Sequence, residues 1–351
     1  MSVSSAQHQA AILLQKGGPL VVQLRDTPKP GPHELLVEVH AVALNPVDHY
    51  QRDVGAPLVE QYPSIVSSDV GGVVASIGSE VQSTSLKPGV RVVALASSFY
   101  YRGAPNYGAL QRYVVVRAEC AALLPDSWSF VEGSVFPLAT FTAWNGWKFT
   151  GVPPTLVSAP AGAKKEVVLV WGASSSVGTV AVQAAKVMGY TVYATASAQH
   201  LDYIKSLGAT RMFDYKAEDV GSQIKNAAKE DGVNITKGYL AQGDQQLVVD
   251  LMNELKGQEA KAKLAIAPLV DPELKPPETV ETTFVLPPAD VAERNQWCSW
   301  VFNAWLQENL AGGNLVSSPK IKVVEGGLES ANEALDELRA GVSCLKIVVK
   351  L

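Results

Sequence analysis

The chain has 351 residues, of which 47% are hydrophobic and 18% are charged, and its formal net charge is −5. This composition is typical of a globular protein, and the length predicts two domains rather than one. No Lys/Arg-rich run is present. That absence argues against nucleic acid or an anionic membrane surface as the main partner.

The N-terminal segment and the cysteines indicate the cellular compartment of the protein. MSVSSAQHQAAILLQKGG is too polar for a signal peptide, and no window reaches the roughly 18 apolar residues of a membrane helix. Cys120, Cys298 and Cys344 are far apart and odd in number, which does not fit a disulfide framework. We therefore predict a cytoplasmic protein with no membrane partner.

The first 135 residues are rich in β-strand signals. Short β-branched runs separated by Gly, Pro, Asn and Asp occupy residues 35–44, 70–78, 90–96 and 110–118. We predict a rolled antiparallel sheet or partial barrel for this region.

The pattern changes from about residue 136. VVLVWG (167–172) is a continuous apolar strand of the kind that is buried on both faces of a parallel sheet. A helical pattern over 176–190, a strand at 191–197 and a helix at 200–209 follow. This alternation predicts a doubly wound α/β domain.

The third part of the chain begins with a Pro-rich segment. TVETTFVL (279–286) reads as an edge strand that carries Glu281 and lies between proline pairs, both of which guard against edge pairing. We therefore predict a monomer rather than a homodimer.

A helix of about 20 residues follows the edge strand. One side of it carries Trp297, Trp300, Val301 and Trp305, and we predict core or interdomain packing for that side. The C-terminus reads as strand, helix, Gly341 cap and strand, which predicts that it rejoins the first domain.

A degenerate dinucleotide-binding motif follows the apolar strand. The G-x-G-x-x-G pattern appears as Ala173-x-Ser175-x-x-Gly178, between a buried strand and an amphipathic helix. We expect Ala173 to make the tight turn, Ser175 to let the backbone approach a pyrophosphate, and Gly178 to allow close helix–strand packing. The helix N-terminus would hold the phosphates.

The end of the next strand indicates which dinucleotide binds. Sites for NAD place an acidic residue there to bond the ribose 2′-hydroxyl. Thr195-Ala196-Ser197-Ala198-Gln199-His200 contains none, whereas Ser197, His200 and Lys205 can accept a 2′-phosphate. The sequence therefore predicts NADPH as cofactor, unless His200 and Lys205 simply face solvent.

Eight segments in order resemble the medium-chain dehydrogenase/reductase superfamily, over nearly the whole chain. They are residues 43–50, 68–81, 87–92, 108–116, 138–144, 171–178, 206–215 and 333–351. The resemblance implies an α/β protein with a GroES-like catalytic domain and a Rossmann domain. The predicted bounds are 1–135 with 289–351 for the first domain, and 136–288 for the NADPH-binding domain.

The resemblance is to the zinc-free branch. Zinc-dependent members carry ligands where Asn45, Ser68-Asp69 and Leu138 stand, and only Asp69 can ligate a metal here. Residues 94–107 also lack the four cysteines of a structural zinc lobe. We therefore predict no metal. The zinc-free branch includes quinone oxidoreductases and enoyl reductases, and the chain is similar to the fungal trans-acting enoyl reductases.

The resemblance implies a function and three catalytic residues. It predicts NADPH-dependent hydride transfer to the conjugated C=C of a small enone, enoyl or quinone-type substrate, in a biosynthetic pathway. Asn45 and Thr142 would orient the nicotinamide, although Asn45 also suits a structural turn and Thr142 a helix cap. Tyr50 would donate a proton to the enolate carbon, contact the cofactor or form a pocket wall. Enoyl-thioester reductases keep their tyrosine donor where Ala56 stands.

Further residues complete the predicted site. Ser174, Ser175 and Val177 would line the pyrophosphate, and Tyr215 would contact the adenosine end or pack in the core. The aromatic segment 97–107 suits an apolar pocket. A protein that binds NADPH without reducing anything, such as a sensor, is the alternative.

Overall fold

The computed structural model describes residues 6–57, 59–98, 100–156, 158–160 and 162–351. The start of the N-terminal segment (1–5) and Phe99 of the aromatic segment lie outside them. Within these ranges the strands are β1 Gln7–Leu13, β2 Leu20–Asp26, β3 Glu34–Ala43, β4 Asp69–Ile77, β5 Arg91–Leu95, β6 Tyr113–Arg117, β7 Ala121–Leu123, β8 Val167–Trp171, β9 Thr191–Ala196, β10 Arg211–Asp214, β11 Lys237–Leu240, β12 Ala262–Ile266, β13 Val280–Phe284, β14 Lys320–Val324 and β15 Leu345–Lys350. The α-helices are α1 Pro46–Val54, α2 Phe130–Ser134, α3 Pro137–Thr150, α4 Ser176–Val187, α5 Leu201–Leu207, α6 Val220–Glu230, α7 Gln245–Leu255, α8 Val291–Ser299, α9 Gln307–Ala311 and α10 Ala331–Ala340. None of these helices is long and apolar enough to cross a membrane.

The chain divides into two units. The first unit holds the residues up to Leu138, Asp290–Gly313 and Lys320–Leu351, and the second holds Ala139–Ala289 and Asn314–Pro319. The predicted boundaries placed residues 314–319 in the first domain, whereas the structure places them in the second unit. Their contacts give the reason, because the Gln183 amide bonds both backbone groups of Val316 and the hydroxyl of Ser318.

The first unit is built on a mainly antiparallel sheet. In the described residues its strand order is β14-β15-β3-β4-β5-β7, with β6 also paired to β3, and β1 and β2 form a separate hairpin. The C-terminal strand β15 lies antiparallel to β3, which brings the end of the chain beside its first third. Inward-facing aliphatic residues of these strands and of α10 form one buried cluster.

The second unit is the predicted doubly wound fold. Its parallel sheet has the order β10-β9-β8-β11-β12-β13, so β13 is an edge strand, as predicted. All five residues of β8 are buried, which explains the unbroken apolar run at 167–171. The predicted fold class, an α/β chain with a β-rich first domain and a doubly wound parallel-sheet second domain, is confirmed.

The helix predicted after β13 is continuous from α8 through π-helical turns at Trp300–Leu306 into α9. Trp297, Val301 and Trp305 are buried in the first unit, so the core packing predicted for them is confirmed. The ring of Trp300 stacks on Trp297 with centroids 5.0 Å apart.

Candidate functional site

The turn after β8 depends on Gly172, which is not one of the positions aligned with the G-x-G-x-x-G pattern. Gly172 adopts a left-handed φ of 77°, and a Cβ there would lie 2.4 Å from the carbonyl oxygen of Gln242. Ala173 lies in the same turn, as predicted, because the N–H of Ser175 donates to the carbonyl of Gly172 at 3.1 Å across it. Ala173 is fully buried, and its N–H donates to the carbonyl of Thr195 at 2.8 Å. The signal was present in the sequence, because Gly172 directly follows the last apolar strand residue.

Ser175 and Gly178 shape the start of α4. Ser175 is the N-cap, and its Oγ accepts from the N–H of Gly178 at 3.1 Å and donates to the carbonyl of Gly172 at 2.9 Å. A Cβ on Gly178 would lie 2.4 Å from that carbonyl and 2.8 Å from the Cα of Ala173. The loop and the helix therefore approach closely only because residue 178 has no side chain.

The loop presents further polar groups suited to a phosphate. Ser174 and Val177 are half-buried on either side of the cap. The hydroxyl of Ser176, which the sequence reasoning missed, is buried and bonds no other described residue. An unpartnered hydroxyl in the first turn of a capped helix is suited to bond an anion. The loop fits the pyrophosphate of a dinucleotide, and the roles of its residues stay predictions.

The end of β9 lies beside this loop. Thr195 Oγ1 accepts from the N–H of Gly172 at 3.0 Å, which joins the two strand ends. Ser197 follows in a buried position, and half-buried His200 lies 3.3 Å from the amide nitrogen of Gln199. Lys205 is exposed in the last turn of α5. No carboxylate belongs to residues 195–200, so nothing in this stretch would repel a 2′-phosphate.

Tyr215 follows β10, next to the end of β9. Its N–H donates to the carbonyl of Ala196 at 3.2 Å, and 43% of the residue is exposed. The alternative of core packing for this ring was therefore wrong. An exposed aromatic ring at the carboxyl edge of the sheet is available to a ligand, and its contact with the adenosine end stays a prediction.

Thr142 lies inside α3 rather than at its start. The helix begins at Pro137, so the alternative of a cap was wrong. Its carbonyl accepts from the hydroxyl of Tyr239 at 2.9 Å, and its side chain is half-buried. Its role toward a nicotinamide stays a prediction.

Asn45 belongs to a buried polar cluster of the first unit. Its Nδ2 donates to Asp69 at 2.8 Å and to the carbonyl of Ala43 at 3.3 Å, and its Oδ1 accepts from the ammonium of Lys346 at 2.5 Å. Lys346 also lies 3.3 Å from the same oxygen of Asp69. These contacts give Asn45 the structural role that its position before a proline suggested. Contact with a nicotinamide stays a prediction.

Asp48 lies at the first turn of α1, immediately beside this cluster. Its Oδ2 accepts from the N–H of Asn45 at 2.8 Å, which holds the first turn of the helix together. The side chain is fully buried, and burial raises the pKa of this carboxyl to about 7. Burial also raises the pKa of Asp69, against the opposing attraction of Lys346.

The cluster does not fit a catalytic zinc ion. Asn45 and Asp69 are joined to each other, and the N–H at the Leu138 position donates to Asp69 at 2.6 Å. The lysine ammonium on Asp69 would repel a dication, and an amide is a poor zinc ligand. Across the described ranges, no three His, Cys, Asp or Glu side chains gather as metal ligands would.

Tyr50 lies in α1 with 47% of its surface exposed. Its ring contacts that of His49 with centroids 4.2 Å apart, and its hydroxyl bonds no other described residue. The hydroxyl is therefore open to a ligand. Tyr50 and Asn45 belong to the first unit, whereas Thr142, the phosphate loop and Tyr215 belong to the second.

Two family models match the chain. An alcohol dehydrogenase GroES-like domain covers residues 31–126, and a zinc-binding dehydrogenase domain covers residues 176–252. Among solved structures, an alcohol dehydrogenase superfamily protein from Novosphingobium aromaticivorans is 24% identical, with a TM-score of 0.79 over 98% of this chain and 99% of that one. This likeness shows the fold.

Curated relatives are more similar in sequence. The trans-enoyl reductase tndF of Aspergillus flavipes is 49% identical over 98% of this chain and 99% of its own length. The trans-enoyl reductase tazE of Aspergillus terreus is 48% identical over 83% of this chain and 96% of its own length. The chain is therefore an oxidoreductase that belongs to the medium-chain dehydrogenase/reductase superfamily.

Proposed function

We propose that this protein is an NADPH-dependent reductase that transfers hydride to the conjugated C=C of an enone, enoyl or quinone-type substrate in a secondary-metabolite pathway. The observation that carries the proposal is the similarity over almost the whole chain to tndF, a trans-enoyl reductase. A cytoplasmic protein with a small-molecule substrate accords with this role.

NADPH is the proposed cofactor because of the residues that follow β8 and β9 at the phosphate loop. Ser175, Ser176 and Gly178 would hold the pyrophosphate at the start of α4. Ser197 and His200 occupy the stretch where NAD sites place an acidic residue, and Lys205 adds a positive charge on the following helix. Tyr215 would contact the adenosine end from the neighbouring strand.

The chemistry follows from what the residues can do. The bound cofactor would supply the hydride for the β-carbon of the substrate. A conjugated carbonyl carries the developing enolate charge on its own oxygen, so this reduction suits a chain whose Asn45–Asp69 cluster does not fit zinc. The Tyr50 hydroxyl would then give its proton to the α-carbon.

The first experiment is a titration of the purified protein with NADPH and NADH, followed by NADPH consumption against enones, quinones and enoyl thioesters. We expect at least about tenfold tighter binding of NADPH, because NADH lacks the 2′-phosphate that Ser197, His200 and Lys205 would contact. We also expect turnover on one acceptor class. Tight NADPH binding without consumption on any acceptor would contradict the reductase proposal and support a non-reducing NADPH-binding role.

A further inference from the structure

A cavity of about 230 Å³ lies within the first unit, between the aromatic segment after β5, the end of β6 and the first turns of α8. Ser97, Tyr100 and Tyr101 line it from the aromatic segment, as the sequence suggested for residues 97–107. Val291 at its rim is 58% exposed, so the cavity reaches solvent. Its volume is below that of pockets for drug-sized ligands and suits a smaller molecule.

The polar groups of the lining are hydrogen-bond donors. Arg117 and Arg294 contribute guanidinium groups and Asn295 an amide, and none of the described lining residues is Asp or Glu. Arg294 lies over the ring of Tyr100 with its guanidinium carbon 4.7 Å from the ring centroid. Arg117 is held by both oxygens of Glu119, at 2.8 and 3.2 Å, which fixes it in place.

The tyrosines and thiols of the cavity also keep their protons. Burial raises the pKa of Tyr100 and of Tyr101 above the usual range, so both hydroxyls stay donors at neutral pH. Cys120 and Cys298, which are far apart in sequence, both line the cavity. The neighbouring Cys298 thiol and burial raise the pKa of the Cys120 thiol. A wall of donors and aromatic rings suits a flat ligand rich in oxygen acceptors.

We propose that this cavity binds a small planar conjugated oxyanion, such as an α,β-unsaturated carboxylate, with Arg294 as its main charge partner. The assignment of this ligand as substrate rests on the proposed function, whereas the binding itself does not. The guanidinium would pair with the carboxylate, and the conjugated chain would lie against the tyrosine rings.

The test is isothermal titration of the protein with trans-cinnamate, without cofactor. We expect saturable binding, and at least about tenfold weaker binding of methyl cinnamate, which has the same conjugated frame without the charge. Arg294→Gln should weaken cinnamate binding by a similar factor and leave methyl cinnamate unchanged. Arg102→Gln is the matched control, because this exposed arginine lies in the aromatic segment 97–107 next to the lining tyrosines and does not line the cavity.

A second variant covers the case in which Arg294→Gln does not fold. Val291→Trp adds bulk at the exposed rim and should abolish cinnamate binding, whereas Leu269→Trp, at an exposed position of the second unit, should not. Absence of saturable cinnamate binding, or equal binding by the Arg294→Gln and Arg102→Gln proteins, would overturn the inference.

NADPH consumption separates this inference from the proposed function. Consumption with a neutral enone but no cinnamate binding would overturn the cavity inference and leave the reductase intact. Cinnamate binding with no consumption on any acceptor would support the cavity as a binding site and overturn its assignment to a reductase substrate.

Discussion

Lys346 has only 3% of its surface exposed, and its ammonium contacts the equally buried Asp69 and Asn45. A buried charge is tolerated only when it is paired and hydrogen-bonded, because removal from water is costly. The pair therefore matters to the first unit mainly because either charge, if it were left buried without the other, would lower the free energy of unfolding.

Lys346→Met should lower the free energy of unfolding by about 3–5 kcal/mol, because Asp69 would keep a buried charge without a cation. Urea denaturation measures the change. Lys350→Met, at the exposed end of the same strand, should change stability by less than about 0.5 kcal/mol. The double variant Lys346→Met/Asp69→Asn should recover part of the loss, and a fully additive loss would contradict the pairing.

The buried carboxyl of Asp48 predicts a pH dependence of stability. Its pKa is raised to about 7 in the folded protein by burial, so between about pH 4 and pH 7 the folded state binds more protons than the unfolded state. Stability from this group is therefore present below pH 4 and is lost as the pH rises to 7.

Asp48→Asn removes that titration and keeps an acceptor for the N–H of Asn45. The stability of the wild type relative to this variant should fall by about 2–4 kcal/mol between pH 4 and 7, and should change little above pH 7. Urea denaturation at a series of pH values provides the measurement. A constant difference over that range would mean that Asp48 titrates normally.

The Tyr50 hydroxyl is the proposed proton donor. Tyr50→Phe should lower kcat about 100-fold, the smaller end of general-acid effects, with stability unchanged because the hydroxyl has no partner among the described residues. Tyr62→Phe, another exposed tyrosine nearby, is the matched control. Full activity of the Tyr50→Phe protein would assign the proton to water.

The strand–loop–helix element β8–α4 depends on backbone approach at Gly178. Gly178→Ala should destabilise the protein by about 1–3 kcal/mol and weaken NADPH binding at least tenfold, because the new methyl group meets backbone atoms of the loop. Denaturation and cofactor titration test both effects.

A second helical glycine supplies the control. Gly221 lies in α6, where the nearest atom to a Cβ is 3.9 Å away, so Gly221→Ala should stabilise the protein by up to about 1 kcal/mol. Similar losses for both variants would show that close approach at residue 178 is not the cause.

At the scale of the whole molecule, the exposed edge strand of the parallel sheet affects whether two copies of the chain associate. Glu281 of the edge strand β13 is held by Lys261 at 3.0 Å and by Lys263 at 3.6 Å, which places charge on this edge. Charged edges resist pairing with a second copy. We expect a monomer of 37.3 kDa by equilibrium ultracentrifugation, and a mass near twice that value would contradict the prediction.

Much of the fold could be read from the sequence because it depends on local patterns. The buried run before Gly172, the helical spacing after Ser175 and the proline pairs around β13 each act over a few residues of chain. The same reason explains why the degenerate phosphate-loop motif and the acid-free end of β9 were visible without a structure. The replacement of the zinc ligands was visible only through the resemblance to the superfamily.

Only the tertiary structure brought together residues distant in the chain. Lys346 reaches Asn45 because β15 pairs with β3, and Cys120 and Cys298 line one cavity because α8 packs against the turn Ala118–Cys120. It also placed residues 314–319 with the second unit. Such contacts depend on strand register and packing, which no local periodicity encodes, so the sequence determined the elements and their order while folding decided which side chains meet.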